Sequence, residues 1–178
     1  MSTLARQLIV ATLIVTTTVG CSAAVPGGTA TMDPLAQLQS LPSIDQAAAT
    51  YTAMEVEIRA AVVGAAPTVQ WVVEKPEPNS GCSKPFDNLG GRTVTLLSHG
   101  TNTPIPDEAW PEALAATETI ARRHGFNETF LKVDKPGDHQ ARFTNTTDGA
   151  YSDLGTLADV VLQTYTGCHL PGGKTSAG

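Results

Sequence analysis

Residues 129–145 read TFLKVDKPGDHQARFTN. Within them Lys135-Pro136-Gly137-Asp138 supplies turn residues between two runs, Thr129 to Val133 and Gln140 to Asn145, whose side chains alternate with period two. That is a hairpin, and it makes the neighbouring strands antiparallel. Asp148-Gly149 marks a second hairpin, Val160 to Thr166 continues the alternation, and residues 150 to 158 leave room for one strand more. Upstream, Val69-Gln70-Trp71-Val72-Val73 and Arg92 to Leu97 read as strands joined by a long loop that holds Cys82.

Two helices interrupt the strands. Ser43-Ile44-Asp45-Gln46 fits a capping box. Behind it Ile44, Ala47, Ala48, Tyr51, Met54, Ile58, Ala61 and Val62 recur at three- and four-residue spacing until Gly64 and Pro67. The second helix is expected from about Glu108 to His124. Asp107 or Trp110-Pro111 opens it, Arg122, Arg123 and His124 face the carbonyl end, and Gly125 follows as the left-handed terminator. Its buried stripe is Leu114, Thr117, Ile120 and Ala121. Helices separated by hairpins rather than by single strands predict an α+β fold: a two-layer sandwich, an antiparallel sheet with two helices on one face. The other face of the sheet is then left open as a contact surface.

The N-terminus carries a different signal. Arg6 precedes a twelve-residue apolar run, Leu8 to Val19, the layout of a secretory leader. As a helix that run covers under about 20 Å, short of the roughly 30 Å of a bilayer core. Thr18-Val19-Gly20-Cys21 is similar to a bacterial lipobox, with Thr18 where an aliphatic residue is usual. It makes Cys21 the acylated first residue of the mature chain, and the alternative is an ordinary leader cut nearby. Acylation by more than one chain anchors stably. The domain plan is a lipoprotein signal over 1–20, an acylated cysteine and linker over 21–42, one domain over 43–170, and a flexible tail over 171–178.

Removing Arg6 with the leader takes the formal charge from −6 to −7. An acidic chain without a Lys/Arg run has no electrostatic footprint for nucleic acid and no polybasic patch for anionic lipid. With Cys21 assigned to the anchor, Cys82 and Cys168 are an even pair in an oxidising compartment, so a disulfide is the default reading. The alternative is a catalytic thiol, since Cys168 has His169 beside it, although strand neighbours point to opposite faces.

No G-x-S-x-G, H-E-x-x-H, Walker or dinucleotide motif occurs, so no catalytic residue, metal ligand or cofactor is assigned. His99, His124, His139 and His169 show no metal-ligand spacing. Asp138-His139 is the most suggestive pair, and Asp107, Glu108 and Glu112 suit a helix N-terminus. Trp71 and Trp110 are read as core, and aromatics at 5 percent leave little to line a large lipid cavity.

The lipobox, the Ala-rich first helix with Tyr51 and Met54, Ser80-Gly81-Cys82, Pro136-Gly137-Asp138-His139 and Thr166-Gly167-Cys168-His169-Leu170-Pro171 together resemble the mycobacterial LppA-like lipoprotein family. The resemblance implies an acylated envelope protein, extracytoplasmic and held at the cell membrane, with Cys82 and Cys168 paired. It implies no activity and carries over no catalytic residue. The functional expectation is a non-enzymatic module that binds an envelope protein or lipid. Its competitor is a small hydrophobic-ligand carrier, or a hydrolase using Asp138 and His139, with a pocket between helices and sheet.

Overall fold

The computed structural model describes residues 32–100 and 103–172, which belong to one compact unit beginning at Met32. The leader, Cys21, residues 22–31 of the linker and residues 173–178 lie outside the described residues.

Local chemistry sets both long helices. In α2 (Ile44–Ala65), Ser43 Oγ accepts from Gln46 N at 3.3 Å while Gln46 Oε1 accepts from Ser43 N at 3.0 Å, a closed capping box. Ile44, Ala47, Tyr51, Met54, Ile58 and Val62 form its buried stripe. In α3 (Trp110–Arg123) Pro111 sits in the first turn, where a missing N–H costs nothing. Its end is a Schellman motif: Gly125 N donates to Arg122 O at 3.1 Å and Phe126 N to Ala121 O at 3.0 Å, with Gly125 at φ 91°. The hydrophobic contact that accompanies such ends is supplied by the buried Phe126 and Ala121.

The strands are β1 (Trp71–Val73), β2 (Glu77–Ser80), β3 (Arg92–Gly100), β4 (Glu128–Lys135), β5 (Asp138–Thr144), β6 (Tyr151–Thr156) and β7 (Val160–Tyr165). They form one antiparallel sheet in the order β1-β3-β7-β6-β5-β4, with β2 beside the other half of β3. The hairpin quoted above is β4–β5, with a register shift between Leu131 and Val133. Helices α2 and α3 pack on each other and on the same face of the sheet, α2 over β3 and β7, α3 over β5. The fold class is the α+β arrangement read from the sequence.

The layer between helices and sheet is packed with apolar side chains. Met54, Ile58 and Val62 meet Leu96, Leu154, Leu162, Ala141 and Phe143, all at most 4% exposed. One charge enters this layer: Glu55, 3% exposed, is bonded by Arg59 Nη1 at 3.3 Å and Ser98 Oγ at 3.4 Å. Burial pushes its carboxyl above the usual range, against the opposing pull of Thr164, Arg59 and Ser98.

Two elements depart from the expectation. Residues 34–40, placed in the linker by the sequence, form helix α1 (Pro34–Ser40), capped by Asp33, whose carboxylate accepts from Ala36 N at 3.1 Å. Seven residues with Leu38 alone buried make too short a stripe to show periodicity. The second is β2, which has the sequence EPNS and no strand propensity; pairing with β3 alone creates it.

Cys82 and Cys168 are joined in a disulfide, so neither sulfur is a free nucleophile. Gly91 makes room for it: a Cβ there would lie 2.5 Å from Cys168 Sγ and 2.8 Å from Cys82 Sγ. Gly91→Ala should therefore leave two titratable thiols and lower the urea midpoint. The bridge closes 86 residues, for which the chain-entropy model gives about 4–5 kcal/mol as an upper figure. A variant with no free thiol and an unchanged midpoint would contradict this.

Candidate functional site

Three clusters of polar side chains stand out, and the sheet topology assembles each from distant sequence.

The first lies on the face of the sheet without helices. Strand register places Phe130 opposite Arg142, Arg142 opposite Asp153, Thr144 opposite Tyr151, and Tyr151 opposite Tyr165. Arg142 donates to both Asp153 oxygens, Nε at 2.8 Å and Nη2 at 2.6 Å, a bidentate pair. Its guanidinium carbon lies 3.9 Å from the Tyr151 ring centroid, and Tyr151 stacks on Tyr165 at 5.3 Å. Lys132 Nζ adds a longer contact to Asp153 at 3.5 Å. Phe130, 66% exposed, continues the row to the β4 edge. The result is an ordered strip of aromatic rings and a guanidinium, held by cross-strand pairs and open to solvent.

The second cluster surrounds His139. Asp138 and His139 point to opposite faces, as strand neighbours must. Asp138 pairs with Lys135 at 3.1 Å, whereas His139 is buried and stacked on Trp110 at 5.0 Å. The imidazole bridges two carboxylates that the sequence reading did not connect with it: Nδ1 to Asp134 at 2.8 Å and Nε2 to Asp107 at 3.1 Å. Asp107 also accepts from Gly137 N at 2.8 Å, so it caps the β4–β5 turn rather than α3. That N–H, then His139, holds the Asp107 carboxyl below its usual range. With both ring nitrogens engaged, the imidazole ties the β4–β5 turn to the residues just ahead of α3.

The third cluster is internal. His169, 0% exposed, directs Nδ1 at Pro42 O (2.9 Å) and Nε2 at Thr166 O (2.7 Å). Two carbonyl acceptors require two N–H donors, so the ring is an imidazolium. Its counterion is Asp148, 3.4 Å from Nε2. Asp148 in turn accepts from the Tyr51 hydroxyl, which accepts from Asn145 Nδ2 at 3.1 Å. Burial alone would lower the His169 pKa; the bonds to Asp148, Thr166 O and Pro42 O outweigh it and hold the ring above the ordinary imidazole range. Burial, reinforced by Asp148, pushes the Tyr51 hydroxyl up.

Among the described residues, no group of three or more His, Cys, Asp or Glu is placed to hold a metal ion. No helix among them is long and apolar enough to cross a membrane. The chain matches the LppA family, described as a lipoprotein confined to pathogenic Mycobacterium, over residues 20–172. It belongs to the LppA family. LppA from Mycobacterium tuberculosis is similar in structure, with TM-score 0.64 and 15% identity over 77% of this chain and 83% of that one. A DUF4853 family protein from Actinomyces odontolyticus follows, with TM-score 0.53 and 12% identity over 77% and 73%. At these identities the likeness speaks to fold alone. No curated protein matches the sequence.

The charge on His169 fixes a pH dependence for this LppA-family domain. A folded pKa above the unfolded value, about 6.5, adds stability that is complete below that value and is lost as pH rises through the folded pKa. Wild type minus His169→Gln, measured by urea denaturation, should therefore shrink between pH 6 and pH 9. A difference that stays constant across that range counts against a buried imidazolium.

Proposed function

We propose that this LppA-family protein is an acylated envelope lipoprotein, anchored through Cys21 on the extracytoplasmic side of the membrane, that works by binding a partner protein and not by catalysis. The strip Phe130–Arg142–Tyr151–Tyr165 supports the reading best. Tyr, Phe and Arg are the residues that interface centres favour, and here they are pre-ordered, so association costs them little rotamer entropy. Family membership supports the anchor. Apolar side chains pack the interlayer in which a carrier would keep its ligand, and both nitrogens of His139, the base a hydrolase would use, face carboxylates.

The test is site-specific photocrosslinking in intact cells. A photoreactive residue in place of Phe130 or Tyr165 should give one adduct of the same mass, and one in place of the exposed Thr119 on α3 should give none. Arg142→Ala should weaken the interaction about tenfold or more, as loss of a central Arg does, with the disulfide and circular dichroism unchanged. Adducts independent of position, or none from the strip, would defeat the proposal.

A further inference from the structure

The geometry points to a second site: the groove between α1 and the disulfide-closed loop binds an anionic phospholipid of the bilayer that holds the chain. The groove encloses about 550 Å³, within the range of roughly 300–1,000 Å³ usual for small-molecule sites. Leu35, Leu89, Leu170 and Pro171 supply apolar walls, and Gln39 and Arg92 the polar ones. This composition suits an acyl chain joined to a hydrogen-bonding head.

Arg92 supplies the charge. Among the described residues every Lys and Arg is ion-paired except Lys75, Lys84 and Arg92. Arg92 lines the groove and Lys84 belongs to the same loop. Asp33 is occupied in capping α1, and Asp87, five positions before Arg92, accepts from Asn88 Nδ2 at 3.4 Å. A free guanidinium beside an apolar wall is complementary to a phosphodiester, whose oxygens fit its fork.

Chain length makes the bilayer the source. Ten residues, 22–31, separate Cys21 from Met32, the start of the unit that carries α1, eleven chain steps in all. Even fully extended they reach at most about 40 Å, so this end of the domain stays close to the acyl group. Met32 (62% exposed) and Leu35 (37%) present further apolar surface there. The inference rests on the Cys21 anchor of the proposed function, although the groove chemistry is testable without it.

The experiment uses full-length protein in detergent, titrated with soluble dihexanoyl phosphatidylglycerol and followed by hydrogen exchange at residues 34–40 and 86–91. Saturable protection of both segments is expected, with dihexanoyl phosphatidylcholine and inorganic phosphate each binding at least about tenfold more weakly. Arg92→Gln should cost about tenfold, the scale of one charge-assisted hydrogen bond, and Leu89→Ser a similar factor through lost apolar contact. Equal affinity for the two lipids, binding of phosphate alone, or an unaffected Arg92→Gln would overturn the site. Repeating the exchange in nanodiscs with and without phosphatidylglycerol tests the source; protection in the titration but not in the discs overturns the bilayer as that source. Arg142→Ala should leave the lipid affinity unchanged, so failure here and failure of the sheet-face proposal read out separately. The intact mass reports the acyl group on Cys21 independently.

Discussion

The protonated ring of His169 is the contact on which the rest of this domain hangs. Its main chain pairs with Arg92 in both directions, at 2.8 and 3.0 Å, which fixes the start of β3. Its side chain reaches Pro42 O, just before the cap of α2, and Leu170 O accepts from Ile44 N at 2.9 Å. Cys168 beside it carries the disulfide to the loop ahead of β3. One buried cation thus joins the helix layer, the central strands and the loop. Such a charge is tolerable in a dry interior only because two carbonyl oxygens and a carboxylate satisfy it. Gly167, at φ 74°, lets the chain turn against Asp148; a Cβ there would meet Asp148 O at 2.3 Å.

The two faces of the sheet divide the work. On the helix side, residues of β7, β6, β5 and of β3 from Leu96 onward are buried at every second position and lock the layers together. On the other side the same period puts Arg142, Asp153, Tyr151 and Tyr165 in register, where charge and aromatic contacts stiffen a surface that no helix covers. Core packing and the open-face contacts are therefore carried by alternate residues of the same strands, and a one-residue slip would exchange them.

Sequence alone disclosed the elements whose determinants are local. The capping box at Ser43, the Pro111 start, the Gly125 stop and the Pro136-Gly137 turn each act within a few residues, and each lies where the pattern put it. What sequence left hidden depends on partners far along the chain. His139 suggested chemistry together with Asp138, yet its real neighbours are Asp134 and Asp107, the latter 32 positions away. His169 joins Pro42, 127 positions distant, and no spacing rule reports that. The aromatic strip needed strand register, which turn residues hint at but cannot number. α1, read as linker, stayed hidden because seven residues with a single buried leucine make too short a stripe to show a period.

The stapling of residues 169–170 to the start of α2 also has a mechanical meaning. A pull on the chain ahead of Met32 arrives through α1 at Pro42, Ser43 and Ile44, where the His169 ring and Leu170 O take hold. From there the load passes through Cys168 and β7 into the middle of the sheet, not to either edge. To unravel, the domain must break several hydrogen bonds at once in shear, and the disulfide caps how far the chain between residues 82 and 168 can pay out. A load entering at the N-terminal end of this domain is thus met by the central strands before either edge.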